Sequence, residues 1–534
     1  MSLVCIVVVA SAIAAGCSGT GAPSGPEDAV DSGMDAKGGA EGAVVAPADA
    51  GFDVESGVDA TVVAPADSGL DVGNGSEATI VAPADSGLDA ESGAYGDAAL
   101  SYPSGGEVQL GHACAASSPY GFGSGSLLFC DSASWRYALR SDVPNGTYGG
   151  FTSRPSWYPP LRFVYAFANW APAADACKLS LAQAPIDPSQ ITSIVPNGAM
   201  LGVHVTPIDH AYIGVTGTAG SPTPIYAPAD GTVLLVASLV GPNTIQIVIA
   251  HSCETLSLYW VVNQLAGVLA PYQSTVAAGG RASPLLSVKA GDLIGEQWLT
   301  PMDFAIQDGA VWLSGFAHPF PYVSQAAWEP YTADPLAYLP QPAASQYQAK
   351  MQRAVSPNSG KIDWDTAGTA AGNWYLTGTI GYSGNASSAY GGATTPVTGG
   401  QVPGKNGYSW SHLALAPHWV QPSVWLASIG SWADQAGDGV QLAIRPGPVP
   451  PNQLTVGQTA IYELARWNTT AADGGSVDNA NPPVGYQVVP ATSNVGVLAV
   501  RVNSDNTLTV EKRPDLTSAA SFTGFTSLAE TYWR

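Results

Sequence analysis

The chain has 534 residues, with 41 Asp and Glu against 18 Lys and Arg and a formal net charge of −23 at neutral pH. Binding phosphates needs a basic face that releases counterions, so this balance excludes nucleic acid as a partner. The acidity is uneven: residues 1–100 hold 16 acids against the single base Lys37, leaving 25 acids and 17 bases in a mildly acidic body.

Met1-Ser2-Leu3 leads into an apolar run from Val4 to Ala15 that is too short to span a membrane and reads as an export signal over residues 1–17. Ala14-Ala15-Gly16 before Cys17 resembles the lipobox of bacterial lipoproteins. That implies acylation of Cys17 and a mature protein held in the bacterial cell envelope, facing the periplasm or the cell surface. Cleavage to a soluble product is the alternative. From residue 18 to residue 100 Ala, Gly, Asp, Ser and Pro dominate. Such a segment cannot bury enough apolar surface to offset its chain entropy, so it is expected to be a disordered acidic linker. An 18-residue unit recurs in it, at Val45-Ala46-Pro47-Ala48-Asp49, Val63-Ala64-Pro65-Ala66-Asp67 and Val81-Ala82-Pro83-Ala84-Asp85. As a flexible coil it reaches roughly 50 Å, enough to hold the body off a membrane.

Residues 101–194 carry Cys114, Cys130 and Cys177, and Cys253 follows in the next segment. Four cysteines in an exported chain point to two disulfides, and Cys114 with Cys130 is the most local of the possible pairs. From residue 101 onward charge is sparse, and short apolar runs end at Gly and Pro, as in Ile245-Gln-Ile-Val-Ile-Ala250. These are strand signals, so the body is expected to be all-β. A body of this length exceeds one core, and breaks are expected near Pro196 and Pro342, giving domains over 195–342 and 343–534. Helical periodicity is scarce, with one candidate over Ala344 to Ala354.

Within 195–342, Thr223-Pro-Ile-Tyr-Ala-Pro-Ala-Asp-Gly-Thr-Val233 is followed by Ile247-Val-Ile-Ala-His251, Leu256-Ser-Leu-Tyr259 and Ser287-Val-Lys-Ala-Gly-Asp-Leu-Ile-Gly-Glu296. This succession resembles the antiparallel sheet of the lysostaphin-type (LytM-like) zinc metallopeptidases, which cut peptide bridges in peptidoglycan. The resemblance implies a fold of the duplicated hybrid motif type. It also implies a zinc site built from a His-x-x-x-Asp segment and a later His-x-His strand, with further histidines carrying protons. The zinc would polarise the scissile carbonyl and activate a water. Here Pro301 stands at the first His of the later strand and Asp303 at the second, metal-binding one, and Val261 stands where another catalytic His is expected. Both proton carriers are therefore missing, and no catalytic residue is assigned. His204-Val-Thr-Pro-Ile-Asp209-His210 is the nearest counterpart of the first ligand segment. In a regular strand His204 and His210 would lie about 20 Å apart, with Asp209 on the other face, so a shared site requires the chain to fold back at Pro207. His204, Asp209, His210 and Asp303 are the binding-cleft candidates. His210, Asp303 and His204 are the candidate metal ligands, with zinc as cofactor only if that site is functional. His251, at a strand end, reads as structural.

The last 192 residues, 343–534, read as one β-sandwich or barrel, with a Gly-x-Trp at Gly372 and Trp374 that faintly resembles a lipocalin-like barrel opening. Its Trp364, Trp374, Trp410, Trp419, Trp425 and Trp432 are expected in the core. His412 and His418 flank a short apolar run without obvious partners. The function these features imply is a non-catalytic, lipid-anchored envelope protein that binds peptidoglycan or an envelope protein through a degenerate peptidase-like domain. An active zinc metalloendopeptidase and a structural or surface-display lipoprotein are the alternatives.

Overall fold

A computed structural model describes residues 114, 120–123, 126–131, 134–138, 140–143, 151–164, 179–239, 243–298, 300–323, 325–384, 409–432, 439–447, 449–471, 475, 477 and 482–534. The expected export signal, Cys17, the repeat-bearing linker and Cys177 lie outside the described residues. The described chain is mostly antiparallel strand, as the short apolar runs predict.

Three strands open it, β1 (Tyr120–Gly123), β2 (Ser126–Asp131) and β3 (Ser134–Tyr137), paired in that order. A disulfide ties Cys114 to Cys130 on β2, the most local of the expected pairings. Cys253 is also disulfide-bonded.

The next strands are β4 (Ile191–Val195), β5 (Ala211–Val215), β6 (Thr223–Tyr226), β7 (Gly231–Ser238), β8 (Ile245–Ala250), β9 (Thr255–Val262), β10 (Gln264–Leu265), β11 (Arg281–Ala282), β12 (Leu286–Val288), β13 (Leu293–Gln297), β14 (Met302–Asp308) and β15 (Thr332–Ala333). A large sheet runs β11-β7-β8-β9-β14-β5-β4, with β12 on β7 and β15 on β14, while β10, β13 and β6 form a small sheet beside it. β8, β9 and β14 are buried along their whole length. Both faces of the sheet are covered, so apolar residues fall on both sides of β8 and β9 rather than alternating with exposed polar ones, and the polar residues of β14 are buried as well. One face carries Ile247, Ile249, Tyr259, Phe304 and Ile306, packed on Ile225 and Ile294 of the small sheet. The other carries Val248, Leu258, Trp260 and Ala305, which lie under Trp157, Tyr158 and Leu161. Residues 151–164 thus cover this face of the sheet.

The helix expected over Ala344 to Ala354 is shorter, Ala343–Gln348. Ala344, Tyr347 and Met351 join the core of the first domain, so that core continues past Pro342. The reason is local: backbone bonds link Ile194 of β4 to Lys350 and Gln352, drawing the segment onto the sheet edge.

The carboxyl-terminal domain is a closed barrel of β16 (Gly372–Leu376), β17 (His412–Pro417), β18 (Trp425–Ile429), β19 (Val440–Ile444), β20 (Thr459–Thr470), β21 (Gln487–Val502), β22 (Thr507–Arg513) and β23 (Glu530–Trp533). Of the two architectures expected it is the barrel, because β23 returns to pair with β16. Residues alternate in and out along each strand. Trp374, Leu413, Leu415, Ile429, Leu498 and Tyr532 fill the interior, as an eight-stranded barrel allows. Ala414, Ala416, Leu426 and Ala443 point outward and pack on Ala199, Met200, Ile208 and Tyr212 of the first domain. Trp374, Trp410, Trp419 and Trp432 are buried, in agreement with a core role, whereas Trp364 and Trp425 are only partly buried and pack at the margin of the core.

Candidate functional site

The candidate residues meet on the face of the large sheet that lies toward the barrel. Asp303 of β14 is flanked in register by Trp260 on β9 and Tyr212 on β5. Strand alternation places all three side chains on one face. His210 stands just before β5, and its ring lies 5.2 Å from Tyr212 and 5.3 Å from Trp260, between centroids. Its Nε2 is 3.6 Å from Asp303 Oδ2.

The loop before β5 supplies the rest. Gly198 donates to the Ile208 carbonyl and Ile208 donates back to the Ala199 carbonyl, closing the loop on itself. The chain therefore does fold back, and the His204 and His210 rings come within 5.9 Å. Asp209 departs from the expectation that it points away. Residues just before β5 are not extended, and Asp209 Oδ1 lies 2.9 Å from His210 Nδ1. A proton on Nδ1 shared with a carboxylate leaves Nε2 aimed at Asp303, the orientation a histidine has when a second carboxyl group fixes its tautomer.

Three more residues belong to the cluster and carry no sequence signal. Trp328 Nε1 donates to Asp209 Oδ2 at 2.7 Å. The Glu329 carboxyl beside it is held well above the usual carboxylate range, first by burial and then by the negative Asp209, with His210 opposing. Tyr382, from the chain leading to the barrel's second strand, hydrogen-bonds Glu329, and its ring lies 5.0 Å from that of His412, tilted by 51°. His412 Nε2 donates to the Tyr382 carbonyl, 2.8 Å away, and burial pushes the ring's pKa down to about 3, with His204 contributing in the same direction. The barrel reaches the loop as well, since Gln441 of β19 donates to the carbonyls of Gly202 and His204.

The four cleft candidates do not line an open groove. His204, Asp209, His210 and Asp303 are 4%, 7%, 4% and 1% exposed. Trp328 bonds Asp209, and barrel residues pack on Tyr212 beside the cluster. The expected catalytic positions offer nothing in exchange: Pro301 has no titratable group, and Val261 turns into the apolar core on a left-handed backbone with φ 61°. His251 is held at both ring nitrogens, by the Asp230 carbonyl and by Ser257 Oγ, each at 2.8 Å, as a structural residue would be.

A zinc site needs three or four ligands about 2 Å from the ion. His210 Nε2 and Asp303 Oδ2 have a suitable spacing, and Asp209 is placed to orient His210. The third expected ligand, His204, is not drawn in to match. Among the described residues no group of three or more His, Cys, Asp or Glu could hold a metal ion. The residues present therefore fit half a zinc site.

No protein-family model and no curated protein matches the sequence. Among solved structures, a crystal structure of a zinc-containing peptidase from Vibrio cholerae is similar over 24% of this chain and 36% of that one, at 20% identity and a TM-score of 0.17. This chain thus spans about a third of that structure's length.

Proposed function

We propose that the protein is an exported, lipid-anchored component of the bacterial cell envelope whose peptidase-like domain binds cell-wall material or a partner protein and does not cleave it. The observation that carries the non-cleaving half of this reading is the burial of the Asp209–His210–Asp303 cluster beside Trp328 and the barrel, with Pro301 and Val261 in the positions of proton carriers. Losing one positioned acid or base typically costs about 10²- to 10⁴-fold in rate. Losing two, in a site that solvent and substrate do not reach, leaves no effective hydrolysis. Anchoring through Cys17 and the acidic repeats after it supports the envelope setting.

Isolated peptidoglycan tests the binding half directly. The purified body should sediment with it in a saturable, salt-tolerant way. Absence of enrichment over a control protein would favour a purely structural role instead. A second reading, an active zinc endopeptidase acting on peptidoglycan peptides, draws on one observation, the His210 to Asp303 spacing with Asp209 behind it. It requires the Trp328 segment and the barrel to swing away. Release of new amino groups from peptidoglycan by the zinc-loaded protein, abolished by Asp303→Ala, would establish it.

A further inference from the structure

β20 and β21 outrun the barrel. β19 pairs with β20 only as far as Ala465, and β22 pairs with β21 only as far as Val497. The β20–β21 hairpin continues beyond both, through Trp467–Pro490, Asn468–Val489, Thr469–Val488 and Thr470–Gln487. Register shifts between Leu464 and Trp467 bend this arm, as bulges do. It folds over the outside of the barrel: Tyr486, Val488 and the partly buried Trp467 share one core with the outward Ala416, Leu426 and Ala443 and with Met200, Ile208 and Tyr212 of the first domain. The arm is therefore part of the joint between the two domains.

His418, in the turn after β17, is fully buried where the arm is held. Its ring stacks on Trp419 at 3.9 Å and meets Trp467 and Tyr486 edge-on at 5.7 and 6.1 Å, between centroids. Its Nδ1 accepts from the amides of Val420 and Gln421, so the neutral ring carries its proton on Nε2. Gln421, placed in this way, takes the Val488 amide on its Oε1, and the Gly485 amide donates to the Gln352 carbonyl at 2.7 Å. Among the described residues, the titratable or charged groups facing His418 are Tyr486, kept neutral because burial raises its pKa, and Arg353, which donates through Nη1 to the Trp419 carbonyl. A proton added at Nδ1 would abolish both accepted bonds and set a second cation beside Arg353.

We propose that His418 is a proton-operated latch on this arm: neutral, it holds the arm against the barrel and the first domain, and on protonation it lets the arm go. In the released arm the imidazole regains water and its ordinary pKa near 6.5, whereas in the latched arm burial, and then Arg353, hold it at about 3. Release therefore gains on latching as pH falls below 6.5, by about tenfold per pH unit for one proton, and the gain ends near pH 3. Amide exchange on the full chain, corrected for the intrinsic pH dependence of exchange, reads release at Gly485 and Val488 and reads opening of the barrel at the β21–β22 ladder. The two arm amides should be less protected than the ladder at about pH 7, and their protection should fall about tenfold per unit from about pH 6 to about pH 4. In His418→Asn the side-chain oxygen still accepts from the amide two residues on but takes up no proton, so the slope at the arm should flatten. Arm protection that stays constant down to about pH 4, that falls only in step with the ladder, or that keeps its slope in folded His418→Asn would overturn the proposal. If His418→Asn fails to fold, the comparison of arm with ladder in the unaltered protein decides alone.

Discussion

His210 is held from two sides, by Asp209 at Nδ1 and by Asp303 toward Nε2, and Trp328 holds Asp209 in turn. Trp328→Phe keeps most of the ring and removes one donor to a buried carboxyl oxygen, so urea unfolding should show a loss of about 1–3 kcal/mol. Glu329 gives a pH signature. Its pKa lies well above 4.5 in the folded protein, so above that pH the native state keeps a proton the unfolded chain has released, and stability falls as pH rises. Glu329→Gln removes that slope, and its melting temperature should gain on the parent's between about pH 5 and about pH 8. On the acid side the sign reverses. Burial holds His318, His412 and His418 at about 3, against 6.5 in the unfolded chain, so stability should drop as pH falls below 6.5. His210 and Asp303 were legible in the sequence only through a resemblance to a peptidase motif from which both segments depart. Trp328 and Glu329 were not, since Trp328 reaches Asp209 across 119 residues and no local pattern announces it.

Among the elements, the barrel's seam is the feature least visible in sequence. β16 and β23 share only two register pairs, Tyr375 with Trp533 and Leu376 with Tyr532. The next residue, Arg534, reinforces the seam. Its guanidinium lies 4.0 Å over the Trp374 ring and donates to the carbonyls of Thr366, Thr369 and Ala371. It also faces Asp365, whose carboxyl burial pushes up and Arg534 pulls back down. Removing one member of such a buried set leaves the others uncompensated, so Arg534→Ala should cost about 3–5 kcal/mol in denaturant unfolding. Gly372 at φ 114°, where a Cβ would run into Asp365, supplies the tight approach at the other end. The strands themselves were readable as short apolar runs bounded by turn residues, and the Gly-x-Trp opening hinted at a barrel. Closure was not, because it depends on a partner at the far end of the chain.

At the scale of the whole molecule, the large sheet is covered on both faces, by the small sheet on one side and by residues 151–164, the Trp328 segment and the barrel on the other. The all-β class could be anticipated from short apolar runs and turn residues; the order of the sheet strands could not. What covers the second face could not, because Ala414, Ala416, Leu426 and Ala443 differ from solvent-facing barrel positions only in being apolar. That cover makes the motif-marked residues an internal clasp between two domains. Zinc content of the purified, zinc-equilibrated body after extensive dialysis tests this most directly. A ratio far below one zinc per chain, unchanged in Asp303→Ala, is expected of a clasp. About one zinc per chain, lost in Asp303→Ala, would contradict it.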